Sequence, residues 1–371
     1  MSTRGDPTQG TQTAGFAGQS GSNTARLVEI PAIKTSSAFP LETLEHDEPR
    51  AHALLGGATK GMPQRLLATL DAISRRWIAK ACPDILPEID VIAERLGRPG
   101  AYFLSVNYEW GCTAAVRHAG TDGLPELVRV LDWRTPGLGR HVMAANVSAQ
   151  AGPFTTLTWP GYTGVLQASA TGRFAASLNQ APMARRGGGL YPLDWFANRV
   201  RLWRQRGPTP AHLLRHVFET APDYAAARTI LAEHPISSPC IYAIAGCRRG
   251  DLCIIERTED DAHVFDGPGV AANAWRAPGW QGRPRGADNA ERICQLSRVP
   301  DVDIERAAPF DWIKPPVLNP MTRLYFRASP AAGHPMAQGI EAMSPATRPL
   351  RQGPEAVSAS GTTPDRALAT T

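Results

Sequence analysis

The chain carries six cysteines, Cys82, Cys112, Cys240, Cys247, Cys253 and Cys294. None belongs to a C-x-x-C pair and no histidine cluster stands beside one at zinc spacing, so neither a metal nor an organic cofactor is implied. What remains open to a cysteine is nucleophilic attack, in which a thiolate adds to a carbonyl once a neighbouring base has taken its proton. Cys112, like Cys247, follows a glycine, and it lies in N-Y-E-W-G-C-T-A-A-V (Asn107 to Val116). A residue without a Cβ leaves its carbonyl open to the thiol that follows. Taken alone, a cysteine in an apolar strand is more often inert core. Arg129 and Asp132, in R-V-L-D-W, could hold charge near the thiol or form a plain cross-strand pair. Asn273, in G-V-A-A-N-A-W, could donate to an oxyanion or be a turn residue.

These residues need elements to position them. From Met62 to about Lys80, the residues Leu66, Leu67, Leu70, Ile73, Trp77 and Ile78 recur at helical spacing. A second helix runs through Ile85, Ile89, Ile92 and Leu96, with Gly97 as its stop. The period then changes: AYFLSVNYEWGCTAAV alternates and reads as strand, with Cys112 in its middle. Short strands follow to Pro182 (LVRVLDW, GRHVMAANVSA, FTTLTWPGYTGVLQAS and RFAASLNQ), separated by turns such as Thr121-Asp122-Gly123 and Thr171-Gly172. Helices are expected at about 194–206, 210–220 and 224–233, then strands CIYAIAGC, LCIIERT and HVFD, and a helix near 289–296. Strands flanked by helices without strict alternation suggest a layered α+β domain. Residues 1–25 and the tail from 351 are polar and poor in aromatics, and are expected to be disordered.

The segment Asn107 to Val116 resembles the processing site of the acid ceramidase and N-acylethanolamine acid amidase family of cysteine N-terminal-nucleophile hydrolases. It is similar, more remotely, to the choloylglycine (bile salt) hydrolases and penicillin V acylases. In that family Y-E shortly precedes the nucleophile, and an Arg and an Asp follow in G-R-N-x-D; here Arg129 and Asp132 keep that separation. Trp159 to Gln180 resembles the G-Y-x-G-x-L hairpin and ends in S-L-N-Q, with Asn179 at a family active-site position. S-S-P-C-I-Y-A-I-A-G followed by G-V-A-A-N-A-W resembles the strands and loop that deliver an oxyanion-hole Asn, here Asn273. D-N-A-E-R-I-C-Q-L offers Arg292 as the family's late Arg. The resemblance covers about residues 30 to 350. Two departures stand out: Ala114 replaces the common Ser, and R-V-L-D replaces R-N-x-D.

The resemblance implies a four-layer αββα sandwich of two antiparallel sheets between helix layers. It implies an N-terminal segment, 26–111, that is helical and ends in a strand, and a catalytic segment, 112–350, separated by self-cleavage between Gly111 and Cys112. The new α-amine of Cys112 would be the base; an α-amine titrates near about 7.7–8 and a thiol near about 8.5, so proton transfer between them is cheap. Asp132 would orient that ammonium group, Arg129 would hold the thiolate, and Asn273 with Asn179 would donate to the tetrahedral oxyanion. Trp159 and Tyr162 would line the substrate pocket, while Trp195 and Trp275 read as core or pocket wall. The implied activity is hydrolysis of a linear carbon–nitrogen bond in a small N-acyl amide through a thioester. An acyltransferase using the same acyl-enzyme, or a catalytically silent binding protein, are the alternatives.

The chain has 371 residues, 43% hydrophobic and 20% charged, enough for a sizeable core. Its net charge of +5 comes from arginines spread along the chain, without the dense basic run of a nucleic-acid binder. No run of about 18 apolar residues exists, so stable membrane insertion is not expected. The polar first residues lack an apolar leader, and with the scattered free thiols this gives a cytoplasmic expectation. The partners expected are the small amide itself and the two subunits of one precursor, with room for a homo-oligomer.

Overall fold

The computed structural model describes residues 27–106, 110–120, 122–298, 313–333 and 335–351. Residues 1–26, 352–371 and Asn107, Tyr108 and Glu109 lie outside the described residues, while Arg351, expected to open the disordered tail, is in a strand. The chain begins with β1 (Ala32–Thr35) and the helices α1 (Phe39–His46), α2 (Glu48–Ala58), α3 (Gln64–Ala81), α4 (Leu86–Leu96) and α5 (Ala101–Val106). Six strands follow, β2 (Trp110–Ala119), β3 (Leu124–Trp133), β4 (Met143–Val147), β5 (Phe154–Thr158), β6 (Gln167–Ala170) and β7 (Phe174–Gln180). Helices α6 (Tyr191–Arg204), α7 (Pro210–Thr220) and α8 (Tyr224–Glu233) precede β8 (Cys240–Ala245), β9 (Leu252–Arg257), β10 (Ala262–Asp266) and β11 (Gly269–Ala271). Helix α9 (Asn289–Leu296) and strands β12 (Thr322–Ala328), β13 (Met336–Glu341), β14 (Ser344–Pro345) and β15 (Leu350–Arg351) complete the order.

Eight strands form one sheet in the order β1-β4-β5-β6-β7-β8-β9-β10. Seven form the other: β11-β2-β3-β12-β13-β14, with β15 paired to β13. All pairs are antiparallel except β1 with β4, so the N-terminal segment supplies a parallel edge strand to the larger sheet. The sheets face each other through β2 and β3 on one side and β7 and β8 on the other. Helices α7 and α8 pack on the far side of the larger sheet, and α9 packs against β2 and β11 of the smaller one. This is the expected αββα sandwich.

The pleat explains how the core is divided. Cys112, Ala114 and Val116 of β2, with Leu127 and Leu131 of β3, point into the layer between the sheets, as Gln167 and Asn179 of the larger sheet do. Ala115, Val128 and Val130 point the other way, toward Leu296 of α9. Tyr242 and its partner Leu178 face α7, where the Tyr242 hydroxyl donates to Pro210 O at 3.0 Å. Burial of each large side chain on these faces stabilises the fold by about 1.5–3 kcal/mol.

The helix periodicity at 62–80 and 85–96 appears as α3 and α4, and Gly97 ends α4 with a left-handed φ of 58°. The strand expected to run through AYFLSV is instead helix α5. Its cause is remote: the Asp71 carboxylate of α3 accepts from Gly100 N at 2.6 Å and Phe103 N at 2.8 Å, capping α5 from another element. Local alternation loses to that cap and to the packing of α5 on α3 and α4. Trp195, expected in the core or a pocket wall, is 42% exposed on α6, with the Arg199 guanidinium 5.1 Å above its ring, and lines the wall of a cavity with Trp77 and Leu202. Among the described residues no helix is long and apolar enough to cross a membrane.

His212 of α7 is buried, with Nδ1 2.6 Å from Thr209 Oγ1 and Nε2 2.9 Å from Thr163 Oγ1. Burial pushes its pKa down from 6.5 to about 3, with the Arg215 charge adding to the effect. Below pH 6.5 the unfolded chain therefore binds a proton that the folded chain refuses, and stability falls as the pH drops. Between pH 7 and pH 5 this group costs about 2 kcal/mol. His212→Gln lowers stability at pH 7 but removes that part of the pH slope. Urea midpoints at the two pH values check this; equal slopes in both proteins would refute it.

Candidate active site

Cys112 lies opposite Leu131 in the β2–β3 ladder and is fully buried between the sheets. Arg129, opposite Ala114, lies on the same face and is also fully buried. Its Nη2 donates to Cys112 Sγ at 3.0 Å and to the Leu178 carbonyl of β7 at 2.6 Å, while Nη1 donates to Gln167 Oε1 of β6. Gln167 is held in turn, since its Nε2 donates to Leu157 O of β5 at 2.6 Å. Arg129 Nε has no hydrogen-bond partner, and among the described residues no carboxylate forms an ion pair with the guanidinium. A buried cation without a counter-ion is costly, and the group it meets is a thiol that can ionise. Burial pushes the Cys112 thiol up, the Asp132 charge adds to this, and Arg129 and Arg292 oppose it. By contrast, burial pushes Cys82 and Cys240 up to about 12, and Cys253 up to about 11.

A separation of three along a strand puts Arg129 and Asp132 on opposite faces. Asp132 is therefore not beside the sulfur. It lies opposite Gly111, where a Cβ would stand 3.4 Å from the Asp132 Oδ2 and 3.6 Å from Asn273 Oδ1. Its Oδ2 accepts from Arg292 Nη2 of α9 at 2.6 Å, and its Oδ1 accepts from Thr322 Oγ1 of β12 at 2.9 Å. Both partners of the ion pair have side chains only 3% exposed. Burial pushes the Asp132 carboxyl up and the Arg292 charge draws it back down.

Asn273 is fully buried in the loop between β11 and α9, and its Oδ1 accepts from the Cys112 amide N–H at 2.8 Å. Its Nδ2 donates to Gln180 O at 2.7 Å. The loop is fastened at two points. Asn289 Oδ1 accepts from Asn273 N at 3.0 Å, and the buried Glu256 carboxylate accepts from Ala277 N and Arg276 N, both at 2.9 Å. Asn179 Nδ2 donates to Ala271 O at 3.2 Å, while its buried Oδ1 has no partner. The two amides expected to serve an oxyanion thus each direct an N–H to a backbone carbonyl, and Asn273 presents its oxygen to Cys112. An Asn amide carries two N–H groups: Asn273 keeps its second for another acceptor, whereas Asn179 Nδ2 also reaches Ala272 O at 3.4 Å.

Trp159 donates through Nε1 to Leu138 O at 2.8 Å and meets Trp133 and Tyr162 edge to face at 5.9 and 6.1 Å. Trp133, Trp159 and Tyr162 line a cavity of about 280 Å³ with Leu54, Ile92 and Leu104, and no charged residue lines it. Gly111, Cys112, Arg129, Asp132 and Asn273 therefore meet around one peptide bond, with Arg292 held to Asp132, while Trp159 and Tyr162 line a cavity whose walls include neither Gly111 nor Cys112. Four more were not read from the sequence: Gln167, Glu256, Asn289 and Thr322. Each is a single polar residue without a spacing pattern. The one available signal was Gln167 and Glu256 lying within otherwise apolar strands, where a buried polar group needs a partner.

The Asp132–Arg292 pair supplies a stability test in a Cys112→Ala background, where the thiol plays no part. Asp132→Asn leaves a buried guanidinium without its charge partner and costs about 3–5 kcal/mol. Adding Arg292→Met restores most of it. Denaturant unfolding of the four proteins in this cycle measures the coupling; additive losses would show that the pair is not what holds α9 to β3.

No family model matches the chain. Among curated proteins it is 28% identical over 109 residues to an acid ceramidase of Heterocephalus glaber, over 29% of this chain and 26% of that protein. It is 27% identical over 104 residues to an acid ceramidase of Balaenoptera acutorostrata scammoni, over 28% of this chain and 25% of that protein. The chain thus spans about a quarter of the length of these curated relatives. Among solved structures, a Caenorhabditis elegans ortholog of N-acylethanolamine-hydrolyzing acid amidase aligns with a TM-score of 0.46 and 19% identity, over 59% of this chain and 93% of that one. A mutant conjugated bile acid hydrolase of Clostridium perfringens aligns with a TM-score of 0.32 and 10% identity, over 61% and 89%. The similarity to acid ceramidases bears out the resemblance carried by the motifs around Cys112.

Proposed function

We propose that this protein is a cysteine amidohydrolase that cuts itself between Gly111 and Cys112 and then hydrolyses linear N-acyl amides. The observation that carries this reading is the buried Arg129 guanidinium, which has no carboxylate partner among the described residues and sits 3.0 Å from Cys112 Sγ. Arg292 and Arg327 are paired with carboxylates, and the buried Arg257 meets the backbone carbonyls of Leu231 and His234. Arg129 differs from all three in meeting a thiol, whose ionised form it stabilises.

In the first step Cys112 Sγ adds to the Gly111 carbonyl carbon. The carbon–nitrogen bond to Cys112 breaks, the thiol proton goes to the departing nitrogen, and a thioester remains. Water then cleaves the thioester, returning the thiol and leaving a carboxylate on Gly111. The amide that donates to Asn273 Oδ1 becomes a free α-amine, a base suited to take the Cys112 proton in later turnovers. Asp132 lies on the Gly111 side of that nitrogen, where it would orient an ammonium group. The second N–H of Asn273 is the donor for the tetrahedral oxyanion, with Asn179 behind it. In turnover the acyl group passes from the amide nitrogen to Sγ and then to water. Its chain enters the uncharged cavity lined by Trp159 and Tyr162. The partner in this reading is the amide itself.

Intact mass of the purified protein under reducing conditions tests the reading, wild type beside Cys112→Ala. The wild type is expected as two fragments divided between Gly111 and Cys112, and the variant as one uncut chain. Gly111→Ala should slow the cut, because a methyl group beside the Gly111 carbonyl crowds the approach of Cys112 Sγ, although it meets Asp132 only at contact distance, 3.4 Å. In the cut protein, loss of the oxyanion donor through Asn273→Ala should lower kcat on an N-acyl amide by about 10²–10³-fold. A wild type that stays whole from mildly acidic to neutral pH would overturn the proposal.

A further inference from the structure

Hydrogen-bond acceptors close to Cys112 are already engaged. The Leu178 carbonyl accepts from Arg129 Nη2 at 2.6 Å, and the Gln180 carbonyl accepts from Asn273 Nδ2 at 2.7 Å. Asn273 Oδ1 accepts from the Cys112 amide at 2.8 Å. Asn179 stands between Leu178 and Gln180 on β7 and is 1% exposed. Its Nδ2 meets the carbonyls of Ala271 and Ala272 at 3.2 and 3.4 Å. A carbonyl can only accept, so the nitrogen must lie on that side and the amide cannot be turned over. Oδ1 is thereby directed away from β11, and it is buried without a hydrogen-bond partner among the described residues. A buried acceptor without a donor is costly. A cavity of about 120 Å³ lies against Asn179, with Gln180, Val106, Trp77 and Leu202 also in its wall. There is room beside this residue for a donor from outside the chain.

The chain's own scissile N–H has its acceptor in Asn273 Oδ1. A substrate amide brings a second N–H to the site, and that group needs an acceptor of its own. We propose that Asn179 Oδ1 accepts the N–H of the substrate's scissile amide and so selects amides over esters. This rests on the amidohydrolase reading above. When the tetrahedral carbon collapses, the carbon–nitrogen bond breaks and the nitrogen lone pair takes a proton from the Cys112 ammonium group. An acceptor that holds the N–H turns the lone pair away from Asn179 and leaves it free for that proton. An ester carries an oxygen lone pair where the amide carries its N–H, and two acceptors facing each other repel. Asn179 therefore meets the substrate as an acceptor, while both of its own N–H groups stay on β11 and the residue after it.

The experiment compares N-butyldodecanamide with butyl dodecanoate, which differ in the atom beside the carbonyl, using the cut enzyme and its Asn179→Ala variant. The variant is expected to show an amide-to-ester ratio of kcat/KM about tenfold below that of the wild type. An unchanged ratio would overturn the inference, because a lost oxyanion donor or a displaced Asn273 slows both substrates alike. If the variant does not fold or does not cut, calorimetry on the cut wild type decides. N-butyl undecanesulfonamide keeps the N–H beside an uncleavable tetrahedral centre, and undecyl pentyl sulfone replaces it with a methylene. Binding of the sulfonamide about tenfold tighter supports the acceptor, and equal or absent binding overturns it. A wild type that stays uncut removes the amidohydrolase reading and this inference with it. A cut wild type that binds the two compounds equally removes this inference alone.

Discussion

Placing the Arg129 guanidinium wholly between two sheets is costly, because a cation loses its hydration there and gains it back only through well-placed acceptors. The acceptors come from three strands. Leu178 O belongs to β7 and Gln167 to β6, Gln167 is braced by Leu157 O of β5, and Cys112 lies on the neighbouring β2. One side chain thus couples the small sheet to three adjacent strands of the large one. The spacing and rotation of the sheets must satisfy its planar donor fork. The same constraint brings the Cys112 thiol to a positive charge. Structure and reactivity here rest on one interaction.

The second fastening lies on the opposite face of β3. Asp132 joins α9 through Arg292 and β12 through Thr322, at the strand end where Gly111 leaves no side chain. Asn273 approaches that residue from the third side, on a loop pinned by Glu256 and Asn289. The Gly111–Cys112 bond is therefore surrounded by groups whose positions are set by strands and a helix distant in sequence. The N-terminal helices are tied to the same body. Trp77 donates to Leu202 O at 3.0 Å, the Glu88 carboxylate meets Arg215 at 2.5 Å, and β1 completes the large sheet.

Much of this was legible because it is periodic or ordered along the chain. Helices α3 and α4 show their apolar stripes, and the alternation of β3 and β7 shows strands. Gly111, Cys112, Arg129, Asp132, Asn179, Asn273 and Arg292 could be named because their blocks follow a recognisable order, and the fold gathers them around one bond. Helix α5 was misread because its cap comes from Asp71, far outside its own window. Helices α1 and α2 and strands β1 and β12 carry weaker local patterns and went unread. Gln167, Thr322, Asn289 and Glu256 act singly, and a lone polar residue announces itself only when burial demands a partner for it.

The sequence by itself determined the chemistry on offer: a thiol after a glycine, charged groups at strand spacing, and enough apolar alternation to build two sheets. Residue type and local period suffice for that, since both are properties of neighbours along the chain. Only the tertiary structure decided that Arg129 and Asp132 work on opposite faces of one strand, one at the sulfur and the other at the Gly111 side. It also decided that Asn273 turns its oxygen to the Cys112 amide, and that Trp159 and Tyr162 line an uncharged cavity with Trp133. These facts depend on strand register and on which faces of distant elements meet, and burial and hydrogen-bond satisfaction settle both only when the whole chain is packed.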